Sequence, residues 1–147
     1  MTVLPADTET RLRDSFAAQS LMTFAGAKVE SCAYGTFRIT SPIHDDMRQQ
    51  HDFGHAALTF ALGDTAAGYA AMSVMRPDQE VLTAEMKIQL LAPAKGQRLI
   101  AEGRIIKAGR RLIPVEADVW AEDGDKTVHI ARLIGTMVPV DIPVAAT

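Results

Sequence analysis

Cysteine is scarce in this chain of 147 residues and an excess of basic residues is lacking, and each of these features argues against a class of protein. Cys32 is the only cysteine, so no disulfide can form within the chain, and a cytoplasmic location is the simplest expectation. Lysine and arginine number 15 against 18 aspartates and glutamates, a formal net charge of −3. That balance argues against nucleic-acid binding through a broad basic surface. The first residues show no basic segment followed by an apolar run, so no signal peptide is expected.

One long apolar stretch is present, over residues 56–75, and it is about as long as a membrane span. It consists largely of alanine, glycine and threonine, and it contains Asp64. This composition predicts the core helix of a soluble protein rather than a membrane helix. A buried aspartate is costly unless it is paired, hydrogen-bonded or protonated. Asp64 is therefore the first candidate for chemistry, although a structural hydrogen bond would also account for it.

Before this stretch the pattern predicts an amphipathic helix over about 8–22, capped by Asp7 or Thr8, and a strand over 29–39. After Pro77 the apolar period changes to two, and turn signals such as Asp123-Gly124 divide the remainder into four strands. These strands are expected at about 82–90, 98–107, 113–120 and 126–139.

Strands joined by short turns pair antiparallel, so the predicted fold class is α+β: one antiparallel sheet wrapped around a single long helix. Residues 1–147 are predicted to form one domain, with its core over about 28–140.

The predicted helix carries two chemical groups at separate places. The free backbone N–H groups of Ala56 and Ala57 at its start can stabilise an anion or a developing oxyanion. Asp64 lies about 12 Å further along the axis, at 1.5 Å per residue. One helix therefore cannot direct both groups at the same small reacting centre, whereas two antiparallel helices related by a two-fold axis can. The small side chains near Asp64 permit that approach, so we predict a dimer with two equivalent interfacial sites. These small residues are Ala57, Ala61, Ala67, Gly68 and Ala71.

Two motifs resemble the PaaI-like (phenylacetyl-CoA thioesterase) type of hotdog-fold thioesterases. His55-Ala56-Ala57, followed after four residues by Leu62-Gly63-Asp64, stands where that family has His-Gly-Gly and Leu-Ala-Asp. The segment 82–96 resembles the strand and turn that follow the family's helix, and the resemblance spans about 28–140. It implies the hotdog fold, with the sheet wrapped around the helix, and hydrolysis of an acyl-CoA thioester.

The resemblance also implies roles for individual residues. Asp64 corresponds to the general base or nucleophile, and Thr83 to a Ser/Thr that orients the attacking water. The Ala56 N–H corresponds to the donor that polarises the thioester carbonyl, with the Gln49 side chain beside it and His55 as a positioning residue. In the family, the residues that correspond to Asp64 and Thr83 come from one subunit, and those that correspond to Gln49, His55 and Ala56 come from its partner. This agrees with the helix geometry. A dimer, and a dimer of dimers as homotetramer, is therefore expected.

The chain departs from the family at three positions of the motifs, Ala56, Ala57 and Gly63. Ala56 adds a methyl group where glycine allows the closest approach of the substrate. Gly63 replaces an alanine and costs the helix about 1 kcal/mol, so the space it frees is expected to serve packing or a ligand.

The acyl pocket is expected to be apolar and to suit an aromatic or medium-chain acyl group. Its predicted lining and substrate-contacting residues are Phe53, Ala57, Phe60, Gly68, Leu90 and Tyr69. Lys95, Arg110 and Arg111 lie at predicted turns, where they are candidates for CoA phosphates or are simply solvated.

Other chemistry is weakly represented in the sequence. His44 and His129 have no partner at a metal-like spacing, so no metal and no cofactor beyond the CoA of the substrate are expected. His51 is expected to be a solvated loop histidine, or else to lie beside the site, and Cys32 is expected to pack in a strand. Two further readings stay open: an acyl-CoA-binding protein without catalysis, for which the alanines at 56 and 57 argue, and a hotdog dehydratase or hydratase.

Overall fold

The computed structural model describes residues 2–143. Three helices and six strands follow one another along the chain, with a single 3-10 turn at Asp45–Met47. They are α1 (Ala6–Ala17), α2 (Ser20–Ala25), β1 (Lys28–Ala33), β2 (Thr36–Pro42), α3 (Ala56–Met72), β3 (Gln79–Leu90), β4 (Arg98–Ile105), β5 (Ile113–Asp123) and β6 (Lys126–Asp141). The strands form one antiparallel sheet in the order β1-β2-β4-β5-β6-β3. The predicted α+β class is therefore confirmed.

The long helix α3 touches the sheet backbone to backbone at Gly103 of β4. A Cβ atom at this position would lie 2.2 Å from the carbonyl carbon of Ala66 and 2.3 Å from the nitrogen of Ala67, so only glycine fits. Gly63 has the same role on the helix, because a Cβ there would lie 2.7 Å from Leu133 of β6. The space at Gly63 thus serves packing. Close contact across the sheet buries one side of α3 and leaves its start and the turn around Asp64 more accessible.

Two sequence-based boundaries before α3 are wrong. The helix predicted over 8–22 is two helices, since the chain leaves helical geometry at Gln19, and α1 begins after Pro5 without a side-chain cap from Asp7 or Thr8. The strand predicted over 29–39 is a hairpin, because Gly35 adopts a φ of 76° and reverses the chain between β1 and β2.

Strand β3 lies at one edge of the sheet and pairs with β6 on one side only. The prediction that one face of β3 is buried is only partly correct for the single chain. Met86 and Ile88 are half-buried, but Leu82 is 57% and Leu90 56% exposed. A register shift between Thr83 and Glu85 locally changes which side chains face the helix. Within residues 2–143, no helix has the length and apolar character needed to cross a membrane.

Candidate functional site

A cavity of about 500 Å³ opens at the start of α3, and we call it the helix-start cavity. Its lining includes Gln49, Phe53, Ala56 and Leu90, four residues selected from the sequence, together with Gly54, Thr59 and residues 91–94. The loop before α3 meets the turn after β3 here, since Gly54 N–H donates to the Ala94 carbonyl at 2.8 Å. This contact brings the polar loop and the apolar end of β3 together around one cavity.

Gln49 is held in a tight turn that fixes its side-chain amide. Its backbone N–H donates to Phe53 O at 2.8 Å, and its carbonyl accepts from Asp52 N–H at 3.0 Å. Its side-chain oxygen accepts from the backbone N–H of His51. Within residues 2–143, the side-chain nitrogen of Gln49 has no acceptor, and Gln49 is one of the residues that line the cavity, so this nitrogen is a candidate donor to a ligand there.

His55 caps the first turn of α3. Its Nδ1 accepts from Ala57 N–H at 2.9 Å, which requires that nitrogen to be unprotonated, and its own backbone N–H donates to Met47 O at 2.9 Å. The cap uses the N–H of Ala57 and leaves that of Ala56 without a partner in the described part of the chain. Of the two N–H groups predicted to stabilise an oxyanion, Ala56 therefore remains available. The side chains of His55 and Ala57 line a second, apolar cavity of about 330 Å³ against α2.

Asp64 is half-buried near the middle of α3 and accepts a hydrogen bond of 2.8 Å from the hydroxyl of Thr83 on β3. Burial raises the pKa of this carboxyl above its ordinary value, and the hydrogen bond from Thr83 opposes that rise. Asp64 and Thr83 line a third cavity of about 190 Å³, which also includes Gly68 and Tyr69. We call it the Asp64 cavity. These two side chains, selected separately from the sequence, are thus in direct contact within one protomer.

The helix-start cavity and the Asp64 cavity have no lining residue in common. Ala56 and Asp64 both belong to α3, about 12 Å apart along its axis. In a single protomer the Ala56 N–H and the Asp64 carboxylate therefore lie at different places.

The remaining sequence candidates are more dispersed. Phe60 is half-buried against the core, and Lys95 is exposed beside the helix-start cavity. Arg110 and Arg111 are exposed on the turn after β4, so a strand of about 25 Å separates them from Lys95. One protomer does not bring these three cations together. His44 and His51 are exposed, and Cys32 is half-buried in β1, where burial raises its pKa to about 11.

Sequence reasoning missed a polar network on the face of the sheet opposite α3. Asp118 is buried and contacts Arg104, Arg132 and His129 from the neighbouring strands, with His129 Nε2 2.7 Å from Asp118 Oδ1. The available signal was the pair of acids Glu116 and Asp118, which interrupt the apolar alternation of β5. Among residues 2–143, no group of three or more His, Cys, Asp or Glu side chains is arranged to hold a metal ion.

The chain is similar to one family model and to several solved structures. The model of the thioesterase superfamily matches residues 52–128. A thioesterase family protein from Silicibacter pomeroyi is 33% identical, with a TM-score of 0.89 over 91% of this chain and 98% of that chain. The E. coli PaaI protein from the phenylacetic acid degradation operon is 17% identical, with a TM-score of 0.83 over 93% and 96%. The BH2602 protein from Bacillus halodurans, solved with CoA, is 22% identical, with a TM-score of 0.75 over 91% and 84%. The predicted hotdog fold is confirmed by these matches.

Proposed function

The chain belongs to the thioesterase superfamily, and we propose that it hydrolyses an aromatic or medium-chain acyl-CoA to the free acid and CoA. The observation that carries this proposal is the pairing of a half-buried Asp64 with Thr83, together with an unused helix N–H and amide donor at Ala56 and Gln49. An activated water and a polarised carbonyl are what thioester hydrolysis requires. Water is the only co-reactant, so we expect no cofactor.

The start of α3 and Gln49 form the proposed oxyanion site. The N–H of Ala56 and the side-chain N–H of Gln49 would both donate to the thioester oxygen as negative charge develops on it. The partial positive charge at the helix N-terminus favours the same charge. His55 supports the arrangement by satisfying Ala57, which leaves the first N–H for the substrate.

Asp64 would act as general base or as nucleophile. As a base, its carboxylate accepts a proton from a water oriented by Thr83, and the water oxygen bonds to the carbonyl carbon. The C–S bond then breaks, and the CoA sulfur takes the proton from Asp64 and leaves as the thiol. As a nucleophile, a carboxylate oxygen bonds to the same carbon and displaces CoA, and water then cleaves the resulting anhydride. Both routes need the ionised form of Asp64. The raised pKa makes this carboxylate a stronger base, and it also means that a higher pH is needed to ionise it.

We further propose that the working unit is a dimer in which the helix start of one protomer meets Asp64 of its partner. The distance along α3 supports this, because no single protomer can use both groups on one thioester. Strand β3 supports it as well, since a 12-residue edge strand with exposed Leu82 and Leu90 is suited to pairing with a second copy. A dimer of dimers is the larger assembly that we expect.

The helix-start cavity is the proposed acyl site. Phe53 and Leu90 give it apolar walls, and its volume of about 500 Å³ is within the range of small-molecule sites. BH2602 was solved with CoA, which supports CoA as the carrier of the acyl group. Lys95 on one protomer and Arg110 and Arg111 on another would then be the cations available to its phosphates. A cytoplasmic location fits the single cysteine and a CoA substrate.

One observation favours acyl-CoA binding without turnover as a second candidate function. Ala56 and Ala57 place methyl groups where the family has glycines, and Ala56 lies on the wall of the helix-start cavity. The test is an assay of free thiol released from a panel of acyl-CoAs, with Asp64→Asn as the paired variant. Parent protein that binds acyl-CoA but releases no thiol would overturn the hydrolase proposal. An Asp64→Asn variant as fast as an active parent would overturn the role given to Asp64.

A further inference from the structure

Arg48 precedes Gln49 and is the most extensively bonded side chain of the loop before α3. Its guanidinium donates to three backbone carbonyls: Asp52 O at 2.8 Å, Ile43 O at 2.9 Å and Gly96 O at 3.4 Å. Ile43 lies just after β2, Asp52 lies within the Gln49 turn, and Gly96 lies just before β4. One side chain therefore joins three segments of the chain. The side chain is 18% exposed.

The turn that Arg48 holds is conformationally costly. Asp52 adopts a φ of 68°, the left-handed region that side chains other than glycine adopt infrequently. The carbonyl of Asp52 is the one that accepts the 2.8 Å bond from Arg48. Without this bond the turn from 49 to 53 loses an anchor that lies at its most strained residue.

The same turn determines where the Gln49 amide points. Gln49 bonds through its backbone to Asp52 and Phe53, and through its side-chain oxygen to His51 N–H. A shift of the turn therefore moves the side-chain nitrogen, which is the donor on the wall of the helix-start cavity. Arg48 itself is not among the residues that line this cavity, so its action on a substrate there is indirect.

The charge of Arg48 is only loosely neutralised. Its Nε lies 3.6 Å from Asp45 Oδ1 and 3.8 Å from Asp52 Oδ1, and this buried nitrogen has no hydrogen-bond partner within residues 2–143. Both carboxylates are fully solvated or nearly so. Burial of a guanidinium with such weak ion pairing is costly, so the three carbonyl contacts are what hold it.

We propose that Arg48 is a positioning residue for the oxyanion site, which holds the Gln49 turn in the geometry that directs the amide N–H at the thioester oxygen. This inference rests on the proposed function. Lysine cannot replace arginine here, because a single ammonium group does not span three carbonyls in fixed directions.

A double-mutant cycle tests the proposal on the intact protein. Steady-state kinetics are measured for the parent, Arg48→Ala, Gln49→Ala and the double variant with one acyl-CoA. A misplacement of about 1 Å can cost about 100-fold, so we expect each single variant to lose between ~10-fold and ~100-fold in kcat with little change in KM. In the Gln49→Ala background, Arg48→Ala should cost less than about twofold, because the group it positions is already gone.

Arg38→Ala is the matched control. This arginine also has several partners, but they are the carboxylates of Glu30 and Glu102 on other strands. We expect its kcat to stay within about twofold of the parent. Arg48→Lys replaces Arg48→Ala in the cycle if thermal unfolding shows that the alanine variant does not fold.

The outcomes separate the two proposals. A parent without thioesterase activity overturns the proposed function. An active parent with independent, multiplicative losses for Arg48→Ala and Gln49→Ala overturns only the role of Arg48. A rise in KM with unchanged kcat would also overturn it, because Arg48 would then serve substrate binding and not the transition state.

Discussion

The hydroxyl of Thr83 donates a 2.8 Å hydrogen bond to the carboxylate of Asp64, which joins the edge strand β3 to the middle of α3. The contact stabilises the ionised form of an acid whose pKa is raised by burial. Because β3 is also the proposed dimer edge, the acid lies where a second protomer would approach. Activity, stability and assembly are therefore expected to be linked at this pair.

Asp64→Asn should remove activity and increase stability at neutral pH. Loss of a general base typically costs between ~10²-fold and ~10⁴-fold in kcat. The raised pKa means that folded Asp64 holds its proton more tightly than the unfolded chain does. The free energy of unfolding therefore falls as pH rises through the pKa of the folded state, and asparagine avoids this loss. The measurement is the thermal stability of Asp64→Asn relative to the parent at neutral and at acidic pH. Asp125→Asn, on an exposed turn, is the control. A variant less stable than the parent at neutral pH would contradict the prediction.

Thr83→Val should shift the pH profile. In the parent, kcat/KM should rise with pH as Asp64 ionises, with a midpoint above the ordinary pKa of aspartate. Thr83 lowers the pKa of Asp64, so its removal should move that midpoint to higher pH. Valine suits a strand and lacks the hydroxyl. The measurement is kcat/KM across the acidic range for both proteins, and an unmoved or lowered midpoint would count against the assigned contact.

Ala56→Pro should abolish the oxyanion donor without breaking the helix. Ala56 is the first residue of α3, a position where proline is well accepted because its N–H is not used within the helix. His55 already has an extended backbone, with a φ of −65° and a ψ of 141°, as a residue before proline requires. We expect a loss of between ~10²-fold and ~10³-fold in kcat. Ala56→Gly keeps the N–H and is the matched control, and equal kcat in the two variants would exclude this N–H.

Mixing two inactive variants should restore activity if each site is shared between protomers. Ala56→Pro lacks the donor and Asp64→Asn lacks the acid, so a heterodimer contains one intact site of two. Unfolding and refolding an equal mixture should give about a quarter of the parent activity, since half the dimers are mixed. Each variant refolded alone is the control. Activity no higher than that of the separate variants would show that donor and acid act within one chain.

Leu90→Ser should reduce activity mainly toward longer acyl chains. Leu90 is 56% exposed on the wall of the helix-start cavity, while Leu112 is 58% exposed on the distant turn after β4. A lost contact with about two methylene groups corresponds to about 1.5 kcal/mol, or roughly tenfold in kcat/KM. Leu112→Ser removes equal exposed area and should change nothing. The measurement is kcat/KM from acetyl-CoA to decanoyl-CoA, and equal losses at every chain length would place the acyl group elsewhere.

Sequence patterning identified the main elements because each has a clear period or punctuation. The run from Ala56 predicted α3, and Asp123-Gly124 predicted the turn between β5 and β6, where Gly124 has a φ of 60°. The hairpin at Gly35 was missed because Tyr34-Gly35 is not one of the strong two-residue turn signals, such as Asn-Gly or Asp-Gly. The exposure of Leu82 and Leu90 was missed because alternation shows which residues share a face, but not whether anything covers it.

The amino-acid pattern alone specifies the helix, the separation of Ala56 from Asp64 and the small side chains around the acid, because these follow from spacing along one regular element. Which groups meet across elements depends on the fold. The fold brought Thr83 to Asp64, brought Leu90 and Gln49 to one cavity, paired Asp118 with His129, and placed Arg48 within reach of three carbonyls. Such contacts depend on strand order and register, which join residues far apart in the chain through the shared packing of the sheet against α3.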